Sequence, residues 1–129
     1  MNQLEVTILE IQETERLHIL KCTIGDKVIH MLTLELDPEI KIGKNVNISI
    51  KSTNIGISKT LKKDISIENQ IKSKVIHIEN GEILSSISLN IEGVQFEAII
   101  TLKASKRLNL KLNDHIFALM PESDIFIVI

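Results

Sequence analysis

The chain has 129 residues, 25% of them charged and 43% hydrophobic, with 15 basic against 17 acidic side chains and a formal net charge of -2. That is the size of one ordinary domain able to bury a core, and the charge balance excludes a basic coat over nucleic acid. No apolar run approaches the roughly 18 residues of a membrane helix. Met1-Asn2-Gln3-Leu4-Glu5 has neither the basic nor the apolar stretch of a signal peptide. A lone Cys22 permits no internal disulfide and suits a reducing compartment, so a cytoplasmic protein with no membrane partner is expected.

Isoleucine occurs 25 times, valine 6 and threonine 7, whereas alanine occurs only at Ala98, Ala104 and Ala118. β-Branched side chains are stiff at χ1 and suit a pleated strand better than a helix, so the fold is predicted to be all-β with an isoleucine core. Period-2 alternation supports this from the start of the chain. Leu4, Val6 and Ile8 alternate with Glu5 and Thr7. Asp37-Pro38-Glu39 then offers an N-cap followed by proline, the signature of a brief helical turn. Val46, Ile48 and Ile50 alternate with Asn47, Ser49 and Lys51. Further on, Ile83, Ile87, Leu89 and Ile91 share one parity; a turn at Glu92-Gly93 follows, and Val94, Phe96, Ala98 and Ile100 resume the pattern. Leu102 to Leu110 reads as a turn or two of helix. The tail, Ile125 to Ile129, is apolar at every position, which predicts a strand buried on both faces or at a subunit interface. On that reading Ile127→Asp disrupts assembly, by burying an unpaired charge.

The chain also repeats itself. Asn2-Gln3-Leu4 recurs as Asn69-Gln70-Ile71, Gly25 as Gly93, and Met31-Leu32-Thr33 as Ile99-Ile100-Thr101. Gly43-Lys44-Asn45-Val46 aligns with Asn113-Asp114-His115-Ile116, and Lys51-Ser52-Thr53-Asn54-Ile55 with Pro121-Glu122-Ser123-Asp124-Ile125. The expected organisation is a first repeat over 1–57, a polar linker over 58–64 and a second repeat over 65–129. Units of this size are marginal alone, so mutual support by strand exchange is expected.

Those residues carry a resemblance to the molbindin family of Mop, or TOBE, domains. Its repeat begins Ser-x-Arg-Asn-x-Leu, reaches Val-Val-Thr, runs Leu-x-Leu-Lys-x-Gly and ends near Ile-Lys-Ala-Ser-x-Val. The second copy follows this order with Ser66-Ile67-Glu68-Asn69-Gln70-Ile71, Gly81, Ile99-Ile100-Thr101, Leu108-Asn109-Leu110-Lys111 and Ser123. The first follows it with Asn2-Gln3-Leu4, Thr33, Gly43 and Lys51-Ser52-Thr53. The resemblance implies two tandem OB-like five-stranded β-barrels with short helical turns. It further implies non-catalytic binding of molybdate or tungstate, for storage or homeostasis, in a homo-oligomer with a trimer favoured. No cofactor is implied, and no metal held directly by side chains.

Position by position, the resemblance places oxyanion contacts at Thr33, Lys51, Ser52 and Thr53 in the first copy. In the second it places them at Ser66, Asn69, Thr101 and Ser123, with Ser105 one place beyond the usual serine. The chemistry is consistent. A tetrahedral dianion accepts hydrogen bonds and donates none, so its site needs N–H groups, hydroxyls and a cation, not histidine or cysteine. Lys51 is the surviving cation. Four departures remove donors: Glu68 stands for Arg, Pro121 for Lys, the first copy lacks its Ser-x-Arg segment, and Leu36 and Ala104 replace a second hydroxyl. They motivate a second reading, an assembly or regulatory module that has lost its ligand.

Other chemistries find little support. His18, His30, His77 and His115 form no spaced set with cysteine, as zinc would need. Gly43-Lys44 lacks the rest of a phosphate loop. A single-strand nucleic-acid site needs aromatic platforms over a basic groove, whereas here there is no Tyr or Trp and only Phe96, Phe117 and Phe126. No nucleophile and base pair points to an enzyme.

Overall fold

A computed structural model of the chain describes residues 2–128; the part of the tail expectation that concerns Ile129 lies outside them. Ten strands form two five-stranded antiparallel sheets. The first three strands are β1 (Asn2–Glu13), β2 (His18–Ile24) and β3 (Lys27–Thr33), followed by β4 (Asn45–Ile50) and β5 (Gly56–Ser58). The second series is β6 (Gln70–Asn80), β7 (Leu84–Ile91), β8 (Val94–Thr101), β9 (His115–Leu119) and β10 (Phe126–Val128). One sheet runs β10-β4-β1-β2-β3 and the other β5-β9-β6-β7-β8. Each half thus lends its last strand to the other: β5 pairs with β9, and β10 with β4. This is the exchange that two undersized units need, since each half alone would leave a sheet one strand short.

The alternation seen in sequence is the inward face of these sheets. Leu4, Val6 and Ile8 are buried while Glu5 is exposed, and Ile87, Leu89 and Ile91 on β7 meet Phe96 and Ala98 on β8. Buried side chains of both halves merge into one apolar cluster. Cys22 lies inside it, and burial pushes its thiol up to about 11, so it is a small inert hydrophobe and not a nucleophile.

Curvature comes from two bulges at equivalent points. Register shifts between Ile8 and Glu10 on β1, and between Val75 and His77 on β6. Beside each, a loop closes on the strand: Gly43 N–H donates to the Ile8 carbonyl at 2.7 Å and Asn113 N–H to the Val75 carbonyl at 2.8 Å. Both donors sit at positive φ, +90° for Gly43 and 72° for Asn113. An extra residue in one strand increases local twist, which bends a flat sheet toward a barrel.

Several local expectations change in detail. A helix, α1, spans Leu102–Leu108 and ends where Asn109 turns left-handed. Asp37 makes a single turn without a helix, its carboxylate accepting from Glu39 N–H at 2.9 Å. The tail is not buried on both faces within the chain: Ile125 is 2% exposed, but Phe126 is 46% exposed because β10 is an edge strand. Ile127 packs against the core of its own chain, so a charge there acts on the fold as well as on any assembly. The repeat alignment also shifts by one residue. His18 pairs with Thr33, and Ser85 with Ile100, so the halves correspond at an interval of 67 through this region. Gly25 is therefore level with Glu92, not Gly93, and Thr33 with Ile100, not Thr101.

The hairpin turns Gly25-Asp26 and Glu92-Gly93 meet, with a Cβ built on Gly25 lying 2.8 Å from the Glu92 side chain. A hydrogen bond donated to Asp26 and then the charge of Asp26 push the Glu92 carboxyl up, while that same bond, helped by Lys27, holds Asp26 down. The pair is best satisfied sharing one proton. A carboxyl raised in the folded state favours folding at acid pH and loses that contribution as pH rises through its own titration. Glu92→Gln is therefore expected to raise the melting temperature at neutral pH. The gain should shrink as the pH falls through the raised titration of the native Glu92. An equal gain at neutral and acid pH would show that charge is not the cause.

Candidate functional site

The predicted site residues fall into two groups at opposite, equivalent places. One groove, of about 450 Å³, is lined by Thr53, Asn54 and Ile55 of the first half together with Ile99, Ile100, Thr101 and Ala104 of the second. Its counterpart, of about 590 Å³, is lined by Leu32, Thr33 and Glu35 of the first half with Ser123, Ile125 and Phe126 of the second. Strand exchange explains the mixing. The 3₁₀ turn Ser52–Asn54 leads into β5 and so lies against β8, and the turn Glu122–Asp124 leads into β10 and lies against β3.

In the first groove Thr53 is exposed; of the residues just before it, Lys51 is exposed and Ser52 half-buried. Ser52 Oγ accepts a 3.4 Å hydrogen bond from Asn2 Nδ2. Thr101 Oγ1 accepts from Ala104 N–H at 3.1 Å as the N-cap of α1, which leaves its hydroxyl proton to donate elsewhere. In the second groove Thr33 Oγ1 donates to the Glu35 carbonyl at 2.9 Å, and Ser123 is exposed. Ser66 is exposed in the segment before β6. Ser105 is buried beneath α1, 3.3 Å from Ser85 Oγ, so its hydroxyl joins the helix to the sheet.

Asn69 is 1% exposed and its side chain is spent on backbone. Oδ1 accepts from His30 N–H at 2.7 Å, while Nδ2 donates to the carbonyls of His30 at 2.6 Å and Met120 at 2.9 Å. Asn2 repeats the arrangement toward the other half, accepting from Glu97 N–H at 2.8 Å and donating to its carbonyl at 2.8 Å. The two asparagines are thus clips that hold each half's first strand to the other half's third. The backbone N–H of Asn69 is turned to Glu122 Oε1, at 3.4 Å.

The grooves differ in charge. Lys51, exposed, precedes the turn whose Thr53 lines the first. The second has no equivalent cation, since Pro121 occupies that place, and Glu35 lines it. Glu122 replaces Ser52 there, and its Oε1 accepts hydrogen bonds from the N–H groups of Glu68 at 2.6 Å and Asn69 at 3.4 Å. Sequence reading passed over Glu122, although the alignment of Lys51-Ser52-Thr53 on Pro121-Glu122-Ser123 places it opposite a hydroxyl. A cleft of about 220 Å³ beside β4 is lined by Glu5, Asp37 and Glu39 with Lys44; three carboxylates repel a dianion, so it is no rival. Among the described residues no three His, Cys, Asp or Glu side chains are grouped to hold a metal ion, and no helix is long and apolar enough to cross a membrane.

The architecture is that of paired OB-type barrels, with grooves at the junction between halves. Comparison with known proteins agrees. The TOBE domain model matches residues 65–126. The chain is 31% identical over 64 residues to the probable molybdenum-pterin-binding protein of Haemophilus influenzae, across 49% of this chain and 93% of that one. It belongs to the TOBE-domain family. The crystal structure of the cytoplasmic molybdate-binding protein ModG with molybdate bound superposes with a TM-score of 0.91. That match covers 99% of this chain and 95% of ModG at 19% identity, a likeness of fold.

Proposed function

We propose that the chain binds molybdate, and by the same chemistry tungstate, as a non-catalytic cytoplasmic protein of oxyanion storage or homeostasis. The observation that carries this is the first groove, where Thr53 of one half meets Thr101 of the other, with Lys51 and Ser52 immediately before Thr53 in the chain. One cation and three hydroxyls suit a tetrahedral dianion that only accepts hydrogen bonds. The family of the chain and the names of its relatives point to molybdate as the oxyanion.

On this reading residues 1–57 and 65–129 are two TOBE-type repeats joined by 58–64, and Thr33, Ser66, Asn69 and Ser123 form the second copy of the site. The relative matched by half of this chain along nearly its whole length supports a doubled unit. The protein acts as a homo-oligomer, with a trimer favoured. Exposed apolar side chains at the groove rims, Leu34 (69% exposed) and Phe126 (46%) at one and Leu84 (48%) at the other, suit cover by a second copy.

Thermal unfolding with added molybdate, against sulfate, tests the reading. A ligand that binds only the folded state stabilises it by about 2.7 kcal/mol at a hundredfold excess over Kd. A molybdate-selective rise is expected, and its absence with both molybdate and tungstate would leave the alternative, a module that keeps the assembly surface without a ligand. Lys51→Ala is expected to weaken binding by about tenfold to a hundredfold, since a hydrogen bond to a charged group contributes roughly 1.5–3 kcal/mol. Lys21→Ala on β2 is the control, expected to change nothing. Equal affinities for the two variants would remove Lys51 from the site.

A further inference from the structure

Beside the second groove, next to its lining residue Ser123, an anion already sits on backbone amides. Glu122 Oε1 sits on two consecutive N–H groups, those of Glu68 at 2.6 Å and Asn69 at 3.4 Å. Successive amides aimed at one oxygen form an anion-binding concavity. This one is held rigid, because the Asn69 side chain is locked to His30 and Met120. At the equivalent place in the other half stands Ser52, a neutral hydroxyl in contact with Asn2 Nδ2 at 3.4 Å.

We propose that Glu122 is a built-in anion that closes the second groove, so that the protein takes up oxyanion through the Lys51 groove alone. The proposal rests on the oxyanion-binding function given above and assigns its asymmetry to one side chain. Two effects act together. The tethered carboxylate occupies the amides at an effective concentration that a free ligand at low concentration does not match. Its negative charge, with that of Glu35 lining the groove beside it, repels an incoming dianion where Pro121 supplies no compensating cation. The departures of the second copy from its family pattern then form one coherent change, the replacement of an external anion by an internal one.

The test is isothermal titration of the full-length protein with sodium molybdate, comparing the native chain with Glu122→Ser, which copies the residue of the first half. Glu122→Ser is expected to double the number of molybdate ions bound per chain. In Lys51→Ala/Glu122→Ser the newly opened sites are expected to remain when the original ones weaken. The amide proton signal of Glu68, followed by NMR without ligand, is expected to move upfield in Glu122→Ser as its short bond to the carboxylate is lost. Unchanged stoichiometry in a folded Glu122→Ser protein, or an unmoved Glu68 amide, would overturn the closure while leaving the binding function standing. Binding of molybdate by neither protein would instead overturn the function, and the proposal with it.

Discussion

Asn69→Ala is expected to lower stability by about 3–4 kcal/mol, a large share of the roughly 5–15 kcal/mol that holds a domain folded. The side chain is almost wholly buried and makes three hydrogen bonds of 2.6–2.9 Å to backbone groups of His30 and Met120. Alanine removes all three and leaves one N–H and two carbonyls without that partner. An orphaned buried group costs about 1–3 kcal/mol, more than the modest net gain of forming a bond exposed to water. The melting temperature should fall by about 10 °C or more for a chain of this size. Because the clip joins β6 to β3, amide exchange should accelerate first in those two strands, one from each half. A change of less than about 1 kcal/mol would mean that water or neighbouring groups replace the side chain without loss. Asn2→Ala is the companion, and loses the matching pair of bonds to Glu97.

The role of Asn69 also shows what a sequence can and cannot reveal about such a site. Asparagine recurs in sequence, as Asn2 at the start of β1 and as Asn69 just before β6. A hydrogen-bonding side chain in an oxyanion motif reads as a ligand contact until the strand that it clips is known. That strand lies 39 residues away in sequence, and local pattern carries no information about it. The all-β fold was legible because alternation in β1, β7 and β8 is a local record of burial. Helix α1 was legible too, as a break in that pattern, though not its cap by Thr101.

Long-range pairing escaped, and with it which strands are exchanged and how far β10 is buried. An apolar tail is compatible with a central or an edge strand; only the partner list decides, and β10 pairs with β4 alone. The bulges at Leu9 and Ile76 left no signal either, since an extra apolar residue looks like one more strand position. Matching Thr33 to Thr101 by residue type was off by one for a related reason. A slip of one position in a strand exchanges its two faces, and only the register with β2 and β7 fixes the correspondence. The grouping of Thr53 with Thr101, and of Thr33 with Ser123, followed from topology and not from the order of the motifs.

Ile125→Ala carries the second large effect and tests the exchange itself. Ile125 is 2% exposed and lines the groove with Leu17, Leu32 and Thr33, immediately before β10. Truncating a buried isoleucine to alanine costs about 2–5 kcal/mol, from lost burial and the cavity left behind. The location of the loss is the informative part. Ile125 belongs to the second half of the chain, yet the strand it anchors pairs with β4 through Phe126–Ser49, Ile127–Ile48 and Val128–Asn47. Hydrogen exchange should therefore accelerate most in β4 and β3, at the other end of the sequence, with β9 less affected. Ile55→Ala, the equivalent change before β5, should do the reverse and loosen β9, to which Gly56, Ile57 and Ser58 are paired. If each substitution instead weakened the sheet built from its own half, the halves would be separate barrels. The grooves that join Thr53 to Thr101 and Thr33 to Ser123 would then not exist, so the same measurement bears on the site as well as on the fold.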